Sequence, residues 1–151
     1  MKHTITLFIY GALFLLLISN NTNAASSTCE EIGGMALANA IDETHMVAAL
    51  SGEFAGGARA KITGQQKTAS GLLLDMEHYF INKKGGLLKT IDKATLTAIP
   101  GKQETYMLEI TYDVVSAKGT YADYHGSFQS SGLINLAEGK VVLRYKGKLC
   151  K

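Results

Sequence analysis

Three histidines beyond the first 24 residues, His45, His78 and His125, are the side chains best suited to moving protons near neutral pH. His78 shares strand parity with Leu72, Leu74, Met76 and Phe80. A strand there turns it toward an apolar interior, as a cavity-lining side chain or a general base. His125 stands two residues after Asp123, and on one strand Tyr121, Asp123, His125 and Ser127 would face the same way. Asp123 and His125 are therefore the candidate acid–base pair, the alternative being a polar outer face. His45 lies beside Asp42 and Glu43, where a surface turn accounts for all three. Asp75, Glu77 and His78 are close in sequence, but Glu77 and His78 point to opposite faces of a strand. His-x-His, Cys-x-x-Cys and His-Glu-x-x-His spacings are absent, so no metal or other cofactor is expected. The chain also lacks a Gly-x-Ser-x-Gly elbow, a P-loop and a dinucleotide fingerprint.

Six tyrosines follow residue 24. Tyr106, Tyr112 and Tyr145 sit on apolar strand faces, and Tyr124 shares its face with Phe128. Buried tyrosines need a partner for each hydroxyl. Several hydroxyls around one interior suit a mostly apolar ligand held by a few polar handles, and Tyr106, Tyr112, Tyr124, Tyr145 and His78 form the candidate binding set. The alternative is that they fill a solid core. Charge is most one-sided in the last segment, where Lys140, Arg144, Lys146, Lys148 and Lys151 form a basic stripe. Protection of an exposed strand edge explains such a stripe; an anionic surface partner meeting Arg144, Lys146 and Lys148 is the alternative.

The elements that must position these residues are strands. From Thr105 to Val115 the set Tyr106, Leu108, Ile110, Tyr112 and Val114 alternates with Thr105, Met107, Glu109, Thr111 and Asp113. Val141, Leu143, Tyr145 and Leu149 oppose the basic stripe, and Ala58, Ala60 and Ile62 alternate with Arg59, Lys61 and Thr63. Such alternation puts one face in a core and one in water. Glycine-rich breaks separate the runs, predicting strands over 46–54, 58–63, 69–81, 87–99, 104–116, 120–136 and 140–149. Residues 28–41 are open: Thr28 with Glu31 resembles a capping box, but Gly33-Gly34 interrupts a helix, and Met35, Leu37 and Ile41 line an eighth strand equally well. The class is all-β, with an antiparallel up-and-down barrel of about eight strands expected and a two-sheet β-sandwich as the alternative.

The N-terminus has a different character. Lys2 precedes an apolar run from Leu7 to Ile18, then Ser19 to Ala25 are small or polar, the anatomy of a secretory signal peptide over 1–24. Twelve apolar residues are too few to cross a hydrocarbon core of roughly 30 Å, so no stable membrane insertion is expected. The remaining domain, 25–151, then carries 14 basic and 13 acidic side chains. That balance leaves no broad electrostatic footprint for nucleic acid. Export places Cys29 and Cys150 in an oxidising compartment, periplasmic or extracellular, where a disulfide pinning the chain ends together is expected.

The stretch Val114-Val115-Ser116-Ala117-Lys118-Gly119-Thr120-Tyr121-Ala122-Asp123-Tyr124-His125-Gly126 resembles the strand–turn–strand around the Gly-Thr-Gly-x-Phe/Tyr…Gly motif of dirigent and allene-oxide-cyclase-like barrels. Gly119 matches the motif's second glycine, Tyr121 its aromatic residue and Gly126 its later glycine, while Ala117 and Lys118 stand at its first Gly-Thr. The closing pattern from Gly132 to Tyr145 is similar in style. The resemblance implies an eight-stranded barrel with an apolar cavity, and it transfers no catalytic residue. The expectation is an exported, monomeric, non-catalytic barrel binding an apolar or amphipathic small molecule. A barrel enzyme of isomerase or cyclase type, and a secreted interaction protein using the basic stripe, are the alternatives.

Overall fold

The alternation of apolar and polar side chains persists along nearly the whole described chain, so each segment has one face to bury and no second layer to bury it against. Closing the sheet on itself is the geometry that satisfies this. The computed structural model describes residues 28–151; the predicted signal peptide, 1–24, lies outside them. Eight strands follow in order: β1 (Cys29–Ala40), β2 (His45–Leu50), β3 (Gly56–Thr68), β4 (Gly71–Asn82), β5 (Leu87–Ala98), β6 (Thr105–Lys118), β7 (His125–Asn135) and β8 (Lys140–Cys150). Each pairs antiparallel with the next, and β8 pairs with β1, giving a closed up-and-down barrel rather than a sandwich.

Several boundaries differ from expectation for local reasons. Within residues 28–41 the chain forms β1, Cys29–Ala40, and no helix starts at Thr28. Met35, Leu37 and Ile41 face outward, 51–63% exposed, whereas Ile32 and Ala36 face the core. The strand predicted over 46–54 stops at Leu50, because Gly52–Phe54 is a 3-10 turn that folds Phe54 back into the barrel. The strand predicted from residue 120 starts at His125, after a second 3-10 turn over Gly119–Tyr121. Tyr121, Asp123 and His125 therefore do not share a strand face. The run predicted over 58–63 continues to Thr68 across a register shift between Ile62 and Gly64.

The two ends of the barrel are built differently. One end carries the β1–β2, β3–β4, β5–β6 and β7–β8 turns and is the mouth. The other carries the two 3-10 turns, which deliver Phe54 and Tyr121 to a floor shared with Phe80, Phe128 and Tyr145. Gly34 permits this floor: a Cβ there would strike the Ser51 carbonyl oxygen and the Tyr145 ring. Gly119, at φ 63°, turns in the left-handed region with its Cα against Gly85, which explains glycine at this position of the motif-like stretch.

Cys29 and Cys150 are register partners at the β1–β8 seam and form a disulfide, consistent with an oxidising compartment. The basic stripe lies on β8, which is hydrogen-bonded on both sides, to β7 and to β1. Protection of an exposed edge therefore does not explain its lysines, because closure leaves no edge.

Candidate functional site

Side-chain size is unevenly distributed around the barrel wall. The inward positions of β1–β3 include Ala36, Ala38, Ala48, Ala58 and Ala60, whereas β4–β8 contribute mostly larger side chains, Leu, Met, Phe, Tyr and Ile, with Ala94, Thr90 and Ser130 the small exceptions. Eight strands enclose an interior that large side chains can just fill. The alanines leave it partly unfilled, as a cavity of about 250 Å³. Asp42, Glu43, Leu136 and Gly139 lie at its mouth, and Phe80 lies at the aromatic floor. The Asp42 carboxyl is lowered to about 2, first by the Thr44 backbone N–H and further by His45, so the mouth carries negative charge at neutral pH.

A polar cluster interrupts the apolar lining halfway down. His78 on β4 and Asp92 on β5 are diagonal neighbours across the hairpin, since His78 pairs with Thr90 and Met76 with Asp92. The His78 Nδ1 lies 2.8 Å from Asp92 Oδ2. Asp92 is buried (1% exposed), with Oδ1 sealed and unpartnered; Thr90 Oγ1 is in the same state. The carboxylate opposite assigns the shared proton to Nδ1. Among the described residues only Nδ1 of this ring has a hydrogen-bond partner, and the ring, its side chain 10% exposed, lines the cavity. The ring is held by stacking on Phe80 at 5.5 Å and by an edge contact with Tyr112 at 5.1 Å.

Tyr112 also lines the cavity, and its hydroxyl lies 2.8 Å from Ser130 Oγ. Burial pushes the Tyr112 phenol well above its ordinary value; the Ser130 hydrogen bond opposes the shift and the Asp92 charge adds to it. The phenol is thus a neutral donor throughout the physiological range. Together the cluster offers an accessible nitrogen backed by a carboxylate, and a hydroxyl pair nearby, in an otherwise apolar chamber.

Of the residues singled out from sequence, the fold brings His78 and Tyr112 together at the cavity. Tyr145 belongs to the floor: it stacks on Phe54 at 5.2 Å, accepts a hydrogen bond from the Phe54 N–H and donates to the Ser51 carbonyl. Tyr124 lies outside the floor and donates to Glu30 Oε2. Tyr106 is half-buried near the mouth, in register between Ala98 and Ile134. Asp123 and His125 are exposed at the floor end, where the His125 ring contacts the Asp123 backbone carbonyl at 3.2 Å and not its carboxylate. Asp75 and Glu77 face outward, toward Lys93 and Lys89. On the outer wall Lys140 and Lys148 pair with Glu138 and Glu31, and Arg144 and Lys146 have no ion-pair partner among the described residues.

Asp92, Thr90 and Ser130 were not among the sequence candidates. A signal for Asp92 existed: it shares parity with Leu88, Ala94 and Leu96, while Lys89 and Lys93 occupy the other face. Comparison with protein-family models, curated proteins and solved structures finds no match to this chain, so its own cavity and buried cluster carry the functional argument.

Proposed function

We propose that the protein is an exported barrel that takes up a small neutral molecule, mostly apolar with one polar group, in its interior. The observation that carries the proposal is the alanine-walled cavity of about 250 Å³, open at an acidic mouth and bearing His78 and Tyr112 as polar handles in an apolar lining. Apolar enclosure supplies the driving force, and a few placed polar groups orient the ligand. The negative mouth disfavours anionic headgroups, which is why the ligand is read as neutral. Export is supported by the disulfide together with the N-terminal sequence pattern. An interior ligand site is also what the resemblance to dirigent and allene-oxide-cyclase-like barrels implies.

The test is calorimetric titration with butyrophenone, a neutral aryl ketone, on the disulfide-bonded protein. Binding with a negative heat-capacity change is expected, and saturating ligand raises the melting midpoint by mass action. Ala58→Phe, which fills the cavity from the wall, should abolish binding while leaving the strand circular dichroism unchanged. Unaltered affinity in Ala58→Phe would place the site outside the barrel and overturn the proposal.

A further inference from the structure

We propose that His78 is a general base acting on ligands held in the cavity, and that the protein isomerises small β,γ-unsaturated ketones to their conjugated α,β isomers, with Asp92 as the positioning residue.

The first support is the state of the pair itself. Apart from the pair and Thr90, whose hydroxyl is also buried beside it, the inward face of β4 and β5 is built from apolar side chains. A carboxylate buried for structure alone is normally hydrogen-bonded at both oxygens. Asp92 is buried, yet only Oδ2 has a partner, and that partner is the His78 ring. The carboxylate is thus directed at one group. Such a contact fixes the ring's orientation and tautomer and stabilises the charge it gains as an imidazolium.

Access is the second support. With Nδ1 committed to Asp92, Nε2 is the nitrogen left toward the chamber, where His78 is a lining residue. The third is a matched donor. The Tyr112–Ser130 hydrogen bond can run either way, and with Ser130 donating to the Tyr112 oxygen the Tyr112 O–H is left for a ligand oxygen in the cavity that Tyr112 lines. Tyr112 packs edge-on against the His78 ring, which brings donor and base to the same segment of the cavity.

The substrate class follows from the chemistry of this set. A base facing an apolar chamber meets C–H bonds, and imidazole can remove a carbon-bound proton only where a neighbouring carbonyl stabilises the anion. In the proposed step the His78 Nε2 lone pair takes a proton from the carbon between the carbonyl and the alkene. The electrons of that C–H bond form a dienolate, whose charge settles on oxygen and is met by the Tyr112 O–H. The imidazolium then returns the same proton to the γ-carbon, the double bond moves into conjugation, and His78 is regenerated. The product is an isomer, so no oxidant, reductant or co-substrate is consumed.

Because this chemistry presupposes the ligand-binding cavity proposed above, binding and turnover are measured separately. The substrate is 1-phenylbut-3-en-1-one, whose conjugated isomer is followed by ultraviolet absorbance, and the binding probe is its saturated analogue butyrophenone. Turnover above that of an equal concentration of free imidazole is expected. His78→Gln should lower kcat by about 10²–10⁴-fold with butyrophenone binding retained. Asp92→Asn should lower kcat by about 10²–10⁴-fold with KM little changed. In His78→Ala, added free imidazole should restore activity, a rescue that a merely structural histidine would not show. Butyrophenone binding with turnover no faster than free imidazole overturns the proton-transfer proposal and leaves the binding function standing. Absence of butyrophenone binding overturns both. These wild-type measurements decide the matter even if the variants do not fold.

Discussion

Replacing His78 and Asp92 with leucine, singly and together, separates the energetics of the pair from its use. His78→Leu leaves the Asp92 carboxylate, 1% exposed and with Oδ1 already unpartnered, without any protein hydrogen bond. Removing one partner of a buried charged pair costs about 3–5 kcal/mol. Asp92→Leu strands the imidazole instead, but that ring lines the cavity, so the cost should be nearer the 1–3 kcal/mol of one orphaned neutral polar group. The double variant removes both desolvation penalties and adds apolar surface at a site walled by Met76, Phe80 and Ala94. It should lie within about 1 kcal/mol of the wild type or exceed it by up to about 4 kcal/mol. The expected signature is therefore a coupling of several kcal/mol, in which each single change is worse than both together. Urea unfolding followed by far-ultraviolet circular dichroism, with the disulfide intact, measures all four proteins. A double variant whose loss equals the sum of the singles would show that the two side chains stabilise the fold independently rather than as a pair, and would remove the reason for assigning them joint chemistry.

Three further outcomes follow from the fold. Phe54→Ala removes the ring that contacts Phe80, Tyr121, Phe128 and Tyr145 at 5.2–5.6 Å, and should cost about 3–5 kcal/mol by urea titration; a loss below about 1 kcal/mol would mean the floor is not a packed unit. Cys29→Ala/Cys150→Ala opens a loop with a sequence separation of 121 and should lower stability by up to about 5 kcal/mol in the chain-entropy model, with native strand content kept. Two reactive thiols in the unfolded, unreduced wild type would refute the bond itself. Burial holds the Tyr112 proton more tightly in the folded than in the unfolded chain, so its contribution is fully present below about pH 10 and declines as pH rises beyond it. Stability should fall there by about 1.4 kcal/mol per pH unit from this residue, and Tyr112→Phe should remove that part of the slope.

The barrel was legible because its determinants are local and repeated. Period-two alternation in β4, β5, β6 and β8 reports which face is wet, and consecutive hairpins with cysteines at both ends point to closure. Where reading failed, a non-local contact outweighed the local pattern. Met35, Leu37 and Ile41 look like a buried face, yet β1 buries Ile32, Ala36 and Ala38, because Gly34 must pass the Ser51 carbonyl and the Tyr145 ring on the inner side. Tyr121 and Asp123 continue the apparent parity of β7, yet Gly119 turns the chain into a 3-10 step that sends Tyr121 to the floor. Phe54 likewise reads as the end of a strand, although the four rings it meets come from β4, β7, β8 and the second 3-10 turn.

The site is harder to read than the fold, since a cavity is set by volumes summed around a ring and no single strand announces it. Ala58 and Ala60 are ordinary inward residues on β3; they become a cavity wall only because Ala36, Ala38 and Ala48 stand beside them on β1 and β2. The buried pair is different, because each half breaks a pattern visible on its own strand. His78 interrupts Leu74, Met76 and Phe80, and Asp92 interrupts Leu88, Ala94 and Leu96. The turn between Asn82 and Leu87 then sets the register that pairs His78 with Thr90 and Met76 with Asp92, leaving His78 and Asp92 on one diagonal of the inner face. Two polar interruptions at one level of adjacent strands are costly unless they serve each other, and mutual service satisfies only Nδ1 and Oδ2. What remains unsatisfied is Asp92 Oδ1 and Thr90 Oγ1, sealed in the wall, and an imidazole nitrogen on a residue that lines the apolar chamber; of these the nitrogen is the one a ligand can reach, the part of the arrangement that packing alone does not require.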